Sequence, residues 1–167
     1  MGELLTGVVD DAAVIDPTRT WRLAGAGVPV TVSGDRMRLH QLFANLLSNA
    51  RTHTPAGTIV TVSILPAADR VAVSVADNGP GVSDADLPKL FDRFYRSDPS
   101  RSRADGGTGL GLSIVAAIVR GHGGDVLAGH TPGGGLTVTV VLPRAVGTAA
   151  VPKTDLTVVE GVAAATR

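Results

Sequence analysis

Two neighbouring stretches of the chain alternate apolar and polar side chains with a period of two. Residues 58–65 and 70–76 carry valine or isoleucine at every second position. This is the pattern of β-strands that bury one face of a sheet. Only residues 66–69 separate the two stretches, a length that suits a hairpin loop. We therefore predict an antiparallel hairpin near the middle of the chain.

Stretches with the helical period lie on both sides of this hairpin. Apolar residues recur every three or four positions in residues 3–15, 36–52 and 110–121, which predicts three helices. Asp35 precedes the second of these and is a suitable N-cap. Short β-like runs complete the pattern, at residues 20–24, 28–33, 125–129 and 136–142. A short helical segment capped by Ser83 is predicted for residues 83–89.

Composition limits the class of protein. The 167 residues are enough for one domain with a core, and 44% hydrophobic with 18% charged residues excludes a disordered chain. The formal net charge is zero, which argues against nucleic acid as the main partner. The chain has no cysteine, so disulfides and thiolate metal sites are excluded. It contains no apolar run long enough to span a bilayer and no secretory signal.

The second predicted helix carries an unusual polar stripe. Gln41, Asn45, Asn49 and His53 are spaced four apart and so share one face. Asparagine is unfavourable inside helices, because its amide competes for backbone hydrogen bonds. A solvated face would explain the stripe, but such faces usually carry Glu, Lys or Arg. We favour a functional interpretation, in which the two asparagine oxygens bind one hard cation and its phosphates.

A carboxylate follows the second strand of the hairpin. Asp77 stands at the strand end, and Gly79 and Gly81 follow it closely. This carboxylate would accept a hydrogen bond from an exocyclic amine, such as that of adenine, on a flat ligand lying against the glycine backbone. The alternative is an ordinary Asn-Gly turn, which is common.

A glycine-rich turn runs directly into the third predicted helix, at residues 105–113. Backbone N–H groups at such a turn, together with the helix dipole, form an anion site. The preceding residues 97–105 are polar and basic, which suits a mobile lid over phosphates. A plain helix-entry loop and a plain disordered connection are the alternatives.

Four motifs in this order resemble the N, G1, F and G2 boxes of the ATP-binding domain of bacterial sensor histidine kinases. They are Asn45-Leu46-Leu47-Ser48-Asn49-Ala50, Asp77-Asn78-Gly79-Pro80-Gly81, Leu90-Phe91-Asp92-Arg93-Phe94-Tyr95 and Gly107-Thr108-Gly109-Leu110-Gly111-Leu112-Ser113. The resemblance implies an α/β fold of the Bergerat type: a two-layer sandwich with a mixed, mostly antiparallel sheet, about three helices and a flexible lid. We expect the domain at residues 1–143, with its lid at about 92–108 and a disordered tail at 144–167.

The resemblance also implies roles for single residues, with ATP and Mg²⁺ as the ligands. Asn45 and Asn49 would hold Mg²⁺ and the phosphates, and Asp77 would bind the adenine amine. Phe91 and Phe94 would anchor the lid. The remaining implied nucleotide contacts are Gly79, Gly81, Gly107, Thr108, Gly109, Leu110 and Gly111.

The chain departs from the family pattern after the second asparagine. Many members have Lys and then Tyr or His three and four residues later, where this chain has Thr52 and His53. We therefore include His53 among the nucleotide-binding residues. The phosphate-binding lysine is missing, and Arg51 and Arg96 are the candidates to replace it.

Related hydrolases of the same superfamily, such as gyrase-type topoisomerases, carry a glutamate where this chain has Asn45. An amide cannot take a proton from water as a carboxylate can. Fast ATP hydrolysis is therefore not expected, and ATP would instead be held for phosphoryl transfer.

None of the four histidines of the chain is followed by Glu or Asp, as a phosphoacceptor histidine of this family typically is. We expect a monomeric, cytoplasmic half-kinase, or an excised domain, that phosphorylates a histidine on a separate dimerisation protein. A response regulator would then take the phosphoryl group. Two alternatives remain: an anti-sigma-type Ser/Thr kinase, which usually keeps the glutamate, and a nonenzymatic nucleotide-responsive module.

Overall fold

The computed structural model describes residues 1–95 and 109–145, which form a five-stranded sheet covered on one face by helices. The helices are α1 (Gly2–Ile15), α2 (Arg36–His53) and α3 (Gly111–Gly121), with a short 3₁₀ helix at Leu87–Lys89. The strands are β1 (Thr20–Ala24), β2 (Ile59–Pro66), β3 (Arg70–Asp77), β4 (Asp125–His130) and β5 (Leu136–Pro143). The predicted α/β sandwich is confirmed.

The sheet is mixed, with the strand order β1-β2-β3-β5-β4. β1 and β2 pair in parallel, and the other three pairs are antiparallel. The predicted hairpin is confirmed as β2 and β3, with Val62 opposite Val75. A parallel pair needs a crossover connection, and α2 provides it between β1 and β2. This connection holds α2 against the sheet.

The alternating pattern of the strands builds the core. Every second residue of β2, β3 and β5 is buried toward the helices, including Val60, Val73 and Val140, each 0% exposed. Leu42 and Phe43 of α2 pack into the same core at 0% and 1% exposure. The opposite face of the sheet carries partly exposed polar side chains, as expected of an antiparallel sheet with one solvated side.

A histidine links the beginning of α2 to the end of α3. His122 follows α3; its Nδ1 donates to the Ile118 carbonyl at 2.8 Å, and its Nε2 accepts from the Asp35 N–H at 3.2 Å. Asp35 is the predicted N-cap, and its carboxylate accepts from the N–H groups of Met37 and Arg38. The end of α3 therefore lies beside the beginning of α2, and the two helices pack against each other.

Two element predictions are wrong. Residues 28–33 form no strand, because only Val32 meets a pairing partner there: it makes a single isolated bridge to Arg144, directly after β5. The helical segment predicted for residues 83–89 is reduced to Leu87–Lys89. Ser83 still accepts, through its carbonyl, from the N–H groups of Asp86 and Leu87.

Several predictions concern residues outside the described ranges. Most of the expected lid at about 92–108 and the tail from 146 onward fall there. Of the expected tail at 144–167, only its first two residues are described: the N–H of Arg144 donates to the Asp69 carbonyl and that of Ala145 to the Thr31 carbonyl. Within the described ranges, no helix has the length and apolar character that a membrane span requires.

Candidate nucleotide-binding site

The carboxylate of Asp77 is held at the end of β3 and is only 8% exposed. Its Oδ1 accepts from the N–H of Gly79 at 2.9 Å and from the N–H of Leu136 at 3.3 Å. Among residues 1–95 and 109–145, nothing donates to Oδ2. A buried carboxylate with one oxygen fixed by the backbone can present the other to a ligand N–H group.

The turn between β4 and β5 closes over this carboxylate, which the sequence interpretation missed. Gly135 has φ +109°, and any Cβ at this position would overlap the carbonyl oxygen of Asp77. Gly81, with φ +70°, packs against the same glycine, since a Cβ there would lie 3.0 Å from the Gly135 carbonyl oxygen. The run of three glycines at residues 133–135 was the available signal for a close backbone approach.

Thr54, the C-cap of α2, supports the other side of the Asp77 turn. A Cβ added at Gly79 would lie 2.7 Å from the Thr54 methyl carbon and 3.0 Å from Asp77 Oδ1. Thr54 is 9% exposed, and its hydroxyl donates to the Ala50 carbonyl at 2.7 Å. The C-terminus of α2 and the glycine turn after β3 are therefore in direct contact. Nothing in the sequence motifs had pointed to Thr54.

The polar stripe on α2 lies as predicted along one face of that helix. Asn45 and Asn49 are both partly buried, whereas Gln41 and His53 are exposed. The amide nitrogen Nδ2 of Asn45 is buried and has no hydrogen-bond partner within the described ranges. A buried polar group without a partner costs stability, so a native one calls for a ligand or water.

The N-terminus of α3 is open to an anion. Leu110 is the N-cap, and no side chain caps the first turn within the described part of the chain. The N–H groups of that turn, beginning at Gly111, are thus free of intrahelical partners. At about 1.5 Å per residue α3 is roughly 16 Å long, and it packs against α2. Gly107, Thr108 and Arg96 lie outside the described residues.

The two predicted aromatic anchors differ. Phe91 is partly buried against the core, whereas the Phe94 side chain is 70% exposed. The contact of Phe94 with the glycine-rich turn is made by its backbone instead. Phe94 has φ +63°, and its N–H donates to the Gly109 carbonyl at 3.1 Å. Gly109, with φ +66°, packs directly on the Phe94 backbone. This contact brings residues 94 and 109 together.

Tyr95 is fixed beside this contact. Its hydroxyl donates to Asp86 Oδ1, and the Lys89 Nζ lies 5.9 Å from the centre of its ring. The hydrogen bond from Tyr95, followed by one from the Ser83 side chain, holds the pKa of Asp86 below its usual range. The same bond to Asp86 raises the pKa of the Tyr95 phenol.

The residues present fit a nucleotide with its metal ion. Within the described ranges, no group of three or more His, Cys, Asp or Glu side chains is placed to hold a metal ion. The donor set is instead a pair of side-chain amides a helical turn apart, about 6 Å between Cβ atoms. Mg²⁺ accepts amide oxygens and usually keeps waters and phosphate oxygens as its other ligands. The unpartnered Nδ2 of Asn45 is a hydrogen-bond donor, so it suits a phosphate oxygen of such a complex.

Comparison with protein families gives a match over residues 34–146 to the family described as histidine kinase-, DNA gyrase B- and HSP90-like ATPase. Among curated relatives, the probable sensor histidine kinase TcrY of Mycobacterium tuberculosis is 46% identical over 133 residues. That alignment covers 80% of this chain and 28% of TcrY. The chain therefore spans little more than a quarter of the length of this relative.

Solved structures agree with this match. The mycobacterial sensor histidine kinase MprB superimposes with a TM-score of 0.76 at 27% identity, over 85% of this chain and 94% of that one. Full-length ShkA in complex with AMPPNP superimposes with a TM-score of 0.70 at 31% identity, over 90% of this chain and 31% of that one. Together with the Asp77 turn and the α2 stripe, these matches place the chain in the histidine kinase-, DNA gyrase B- and HSP90-like ATPase family, and the relatives named above are sensor histidine kinases.

Proposed function

We propose that this chain binds Mg-ATP and donates the γ-phosphoryl group to a histidine on a separate dimerisation and phosphoacceptor domain. The observation that carries the proposal is the Asp77 carboxylate, whose Oδ1 is fixed by two backbone N–H groups while Oδ2 has no partner among the described residues. Adenine offers an exocyclic N–H group to such an oxygen. The AMPPNP complex of ShkA, a protein 31% identical to this chain, is consistent with a nucleotide site in this fold.

The phosphates would extend from this base site toward α2 and α3. Asn45 and Asn49 on α2 offer neutral amide groups, and the first turn of α3 offers uncapped N–H groups. Together with Gly109, Leu110 and Gly111, these residues would surround the triphosphate, and we include Gly107, Thr108, Arg96 and His53 in the same set. Bound Mg²⁺ would offset the negative charge of the phosphate oxygens.

The reaction is a phosphoryl transfer without a covalent intermediate on this chain. A neutral imidazole nitrogen of the acceptor attacks the γ-phosphorus, the bond from that phosphorus to the β–γ bridging oxygen breaks, and ADP leaves. The attacking nitrogen carries no proton, so this chain needs no general base for the step. Its residues position the nucleotide and stabilise the charge on the transferring group.

Asn45 also explains why water would be a poor acceptor. A hydrolytic ATPase needs a group that takes a proton from the attacking water, and a carboxamide cannot do this. Holding ATP without hydrolysing it keeps the phosphoryl group available for the partner. We propose that the phosphorylated partner then passes the group to a response regulator, and that both steps occur in the cytoplasm, where ATP is supplied. We expect the chain to act as a monomer.

The test uses γ-labelled ATP with Mg²⁺, first with the chain alone and then with a histidine-containing dimerisation domain. We expect acid-labile label on the partner only, since phosphohistidine is lost in acid. Asn49→Ala should lower the transfer rate by about 100-fold, the typical effect of removing one transition-state contact, while ADP still binds. Ser48→Ala, an exposed neighbour on the same helix, is the matched control and should keep wild-type activity.

Other outcomes favour the other two functions. Acid-stable label on the partner would indicate a Ser/Thr kinase of the anti-sigma type. Nucleotide binding without label on any protein would indicate a nonenzymatic nucleotide-responsive module. Label on this chain itself would contradict the proposal, because it would make one of its own four histidines an acceptor.

A further inference from the structure

Arg19 lies outside every motif that the sequence analysis identified, directly before β1. Its side chain is only 9% exposed, although a guanidinium stays charged at all relevant pH values. A buried charge of this kind needs partners for its N–H groups, because removing it from water is costly. The partners of Arg19 therefore indicate its role.

The guanidinium joins the C-terminal ends of two helices. It donates to the carboxylate of Asp16, which is the C-cap of α1. It also donates to the Arg51 carbonyl at 2.7 Å and to the Thr54 carbonyl, at the end of α2. A cation is favourable at a helix C-terminus, where carbonyl groups lack intrahelical partners. Arg19 thus sets where α2 ends relative to α1.

A fourth contact reaches the hydroxyl of Thr54. The Nε of Arg19 donates to Thr54 Oγ1 at 3.2 Å, and the same hydroxyl donates to the Ala50 carbonyl at 2.7 Å. With one bond accepted and one donated, Oγ1 is held in place, and this fixes the χ1 rotamer of Thr54. That rotamer determines where the methyl group of Thr54 points, and the methyl group packs against Gly79.

We propose that Arg19 is a positioning residue for the nucleotide site, acting through Thr54 on the turn that holds Asp77. The path has three steps: Arg19 orients Thr54, the Thr54 methyl supports Gly79, and the Gly79 N–H fixes Asp77 Oδ1 at 2.9 Å. Arg19 does not contact the nucleotide. Its loss lets the turn move, and small displacements of a binding group cost affinity. This inference rests on the proposed function in assigning Asp77 to the adenine.

Arg19→Lys is the first test variant, because lysine keeps the charge but cannot reproduce the planar fork of four contacts. We expect ADP affinity, measured by calorimetry with Mg²⁺ below the unfolding range, to fall about tenfold, the effect of losing a connected set of hydrogen bonds. Thr54→Val keeps the branched shape but removes the hydroxyl, and should weaken ADP similarly. The double variant should be little worse than either single one, because both changes break the same path.

A second measurement does not depend on nucleotide. The ¹⁵N-labelled amide of Gly79 should shift, and its hydrogen exchange should accelerate, in Arg19→Lys and in Thr54→Val. Arg70→Ala is the matched control, since it removes an arginine from an exposed ion pair with Asp125 at the other end of β3. It should leave both ADP affinity and the Gly79 amide unchanged.

The outcomes separate the two proposals. If Arg19→Lys lowers the Tm but leaves ADP affinity and the Gly79 amide as in the wild type, Arg19 only stabilises the fold and the positioning role is overturned. If the wild-type chain fails to bind ADP, the proposed function is overturned instead. The Gly79 amide then still decides whether Arg19 controls this turn.

Discussion

At Asp77 the two carboxylate oxygens have different surroundings, and this difference predicts base specificity. Oδ1 is occupied by the N–H groups of Gly79 and Leu136. In Asp77→Asn the amide oxygen would keep those bonds, so the NH₂ group would replace Oδ2 and face the amine of adenine, donor against donor. We expect ADP affinity to fall by about 10- to 100-fold, the cost of an unpaired buried polar group.

The same variant should narrow the preference for adenine over guanine, because guanine presents a carbonyl oxygen where adenine has its amine. Calorimetry with ADP and GDP measures both effects. Asp84→Asn is the control: this carboxylate is 94% exposed and pairs with His130 at 2.7 Å. Wild-type ADP affinity in Asp77→Asn would show that this carboxylate does not contact the base.

Tyr95 is the only tyrosine of the chain, so its ionisation can be followed by ultraviolet absorbance. The hydrogen bond to Asp86, with smaller contributions from burial and the charges of Asp86 and Asp92, raises the pKa of the phenol above its usual value near 10. We expect the folded protein to titrate above that value. Asp86→Asn should lower the midpoint more than Asp92→Asn.

The sign of the linked stability follows from this pKa. Because folding raises the pKa of Tyr95, the stabilisation is complete below pH 10 and is lost as the pH rises through the folded-state value. Circular dichroism at each pH confirms that the protein is still folded during the titration. Equal midpoints in the wild type and Asp86→Asn would contradict the contact.

The turn between β4 and β5 offers a matched pair of glycine substitutions. Gly133 and Gly135 both have positive φ, +88° and +109°, so alanine is strained at either position. A Cβ at Gly133 meets nothing within 4 Å, whereas one at Gly135 overlaps the Asp77 carbonyl. We expect Gly133→Ala to cost about 1 kcal/mol of unfolding free energy and Gly135→Ala at least about 1–3 kcal/mol more.

Denaturant unfolding gives these free energies, and ADP binding gives the effect on the site. Gly135→Ala should also weaken ADP, since the clash displaces the backbone of Asp77, while Gly133→Ala should bind ADP as the wild type does. If the two variants lost equal stability, the turn would not pack on the Asp77 backbone.

The helices and strands that could be predicted from the sequence are those that a local side-chain pattern determines. The alternation of Val60, Val62 and Ile64 predicts β2 without reference to the rest of the chain, and the cap at Asp35 predicts where α2 begins. Residues 28–33 have a strand-like composition, but pairing depends on a neighbour at the right register, which a local pattern does not contain. A local pattern could not predict the contact of His122 either, because its hydrogen bond with Asp35 spans 87 positions.

For the whole molecule, the ordered series of four motifs predicted the family and the fold. The structure places the end of α2 against the Asp77 turn, and Phe94 against Gly109. What the motifs omit is the support behind them. Gly135, Thr54 and Arg19 reach the site from distant parts of the chain. Their contacts arise from packing between elements. The glycine run at residues 133–135 indicates a close backbone approach without naming its partner, and no spacing along the chain reveals Thr54 or Arg19.

The junction of α1 and α2 makes the stability of the whole molecule sensitive to acid. The hydrogen bond from the Thr18 side chain, with further contributions from the Thr18 N–H and Arg19, holds the pKa of Asp16 below its usual value of 3.8. Folding therefore lowers this pKa. The resulting stabilisation is present above the unfolded-state value and is lost as the pH falls through the folded-state value. Folding also lowers the pKa of Asp86, so its contribution to stability is likewise lost as the pH falls.

We expect the urea midpoint of the wild type to fall between pH 5 and pH 3, with part of that fall caused by Asp16. Asp16→Asn should be less stable at pH 7, because Arg19 loses its charged partner, and should lose less between pH 5 and pH 3, because one linked carboxylate is gone. Asp125→Asn removes a carboxylate from an exposed pair instead, and should shift the midpoint little at pH 7. Parallel pH curves for the wild type and Asp16→Asn would mean that this carboxylate titrates alike in the folded and unfolded chain, and that the bonds from Thr18 and Arg19 contribute nothing to holding α1 against α2.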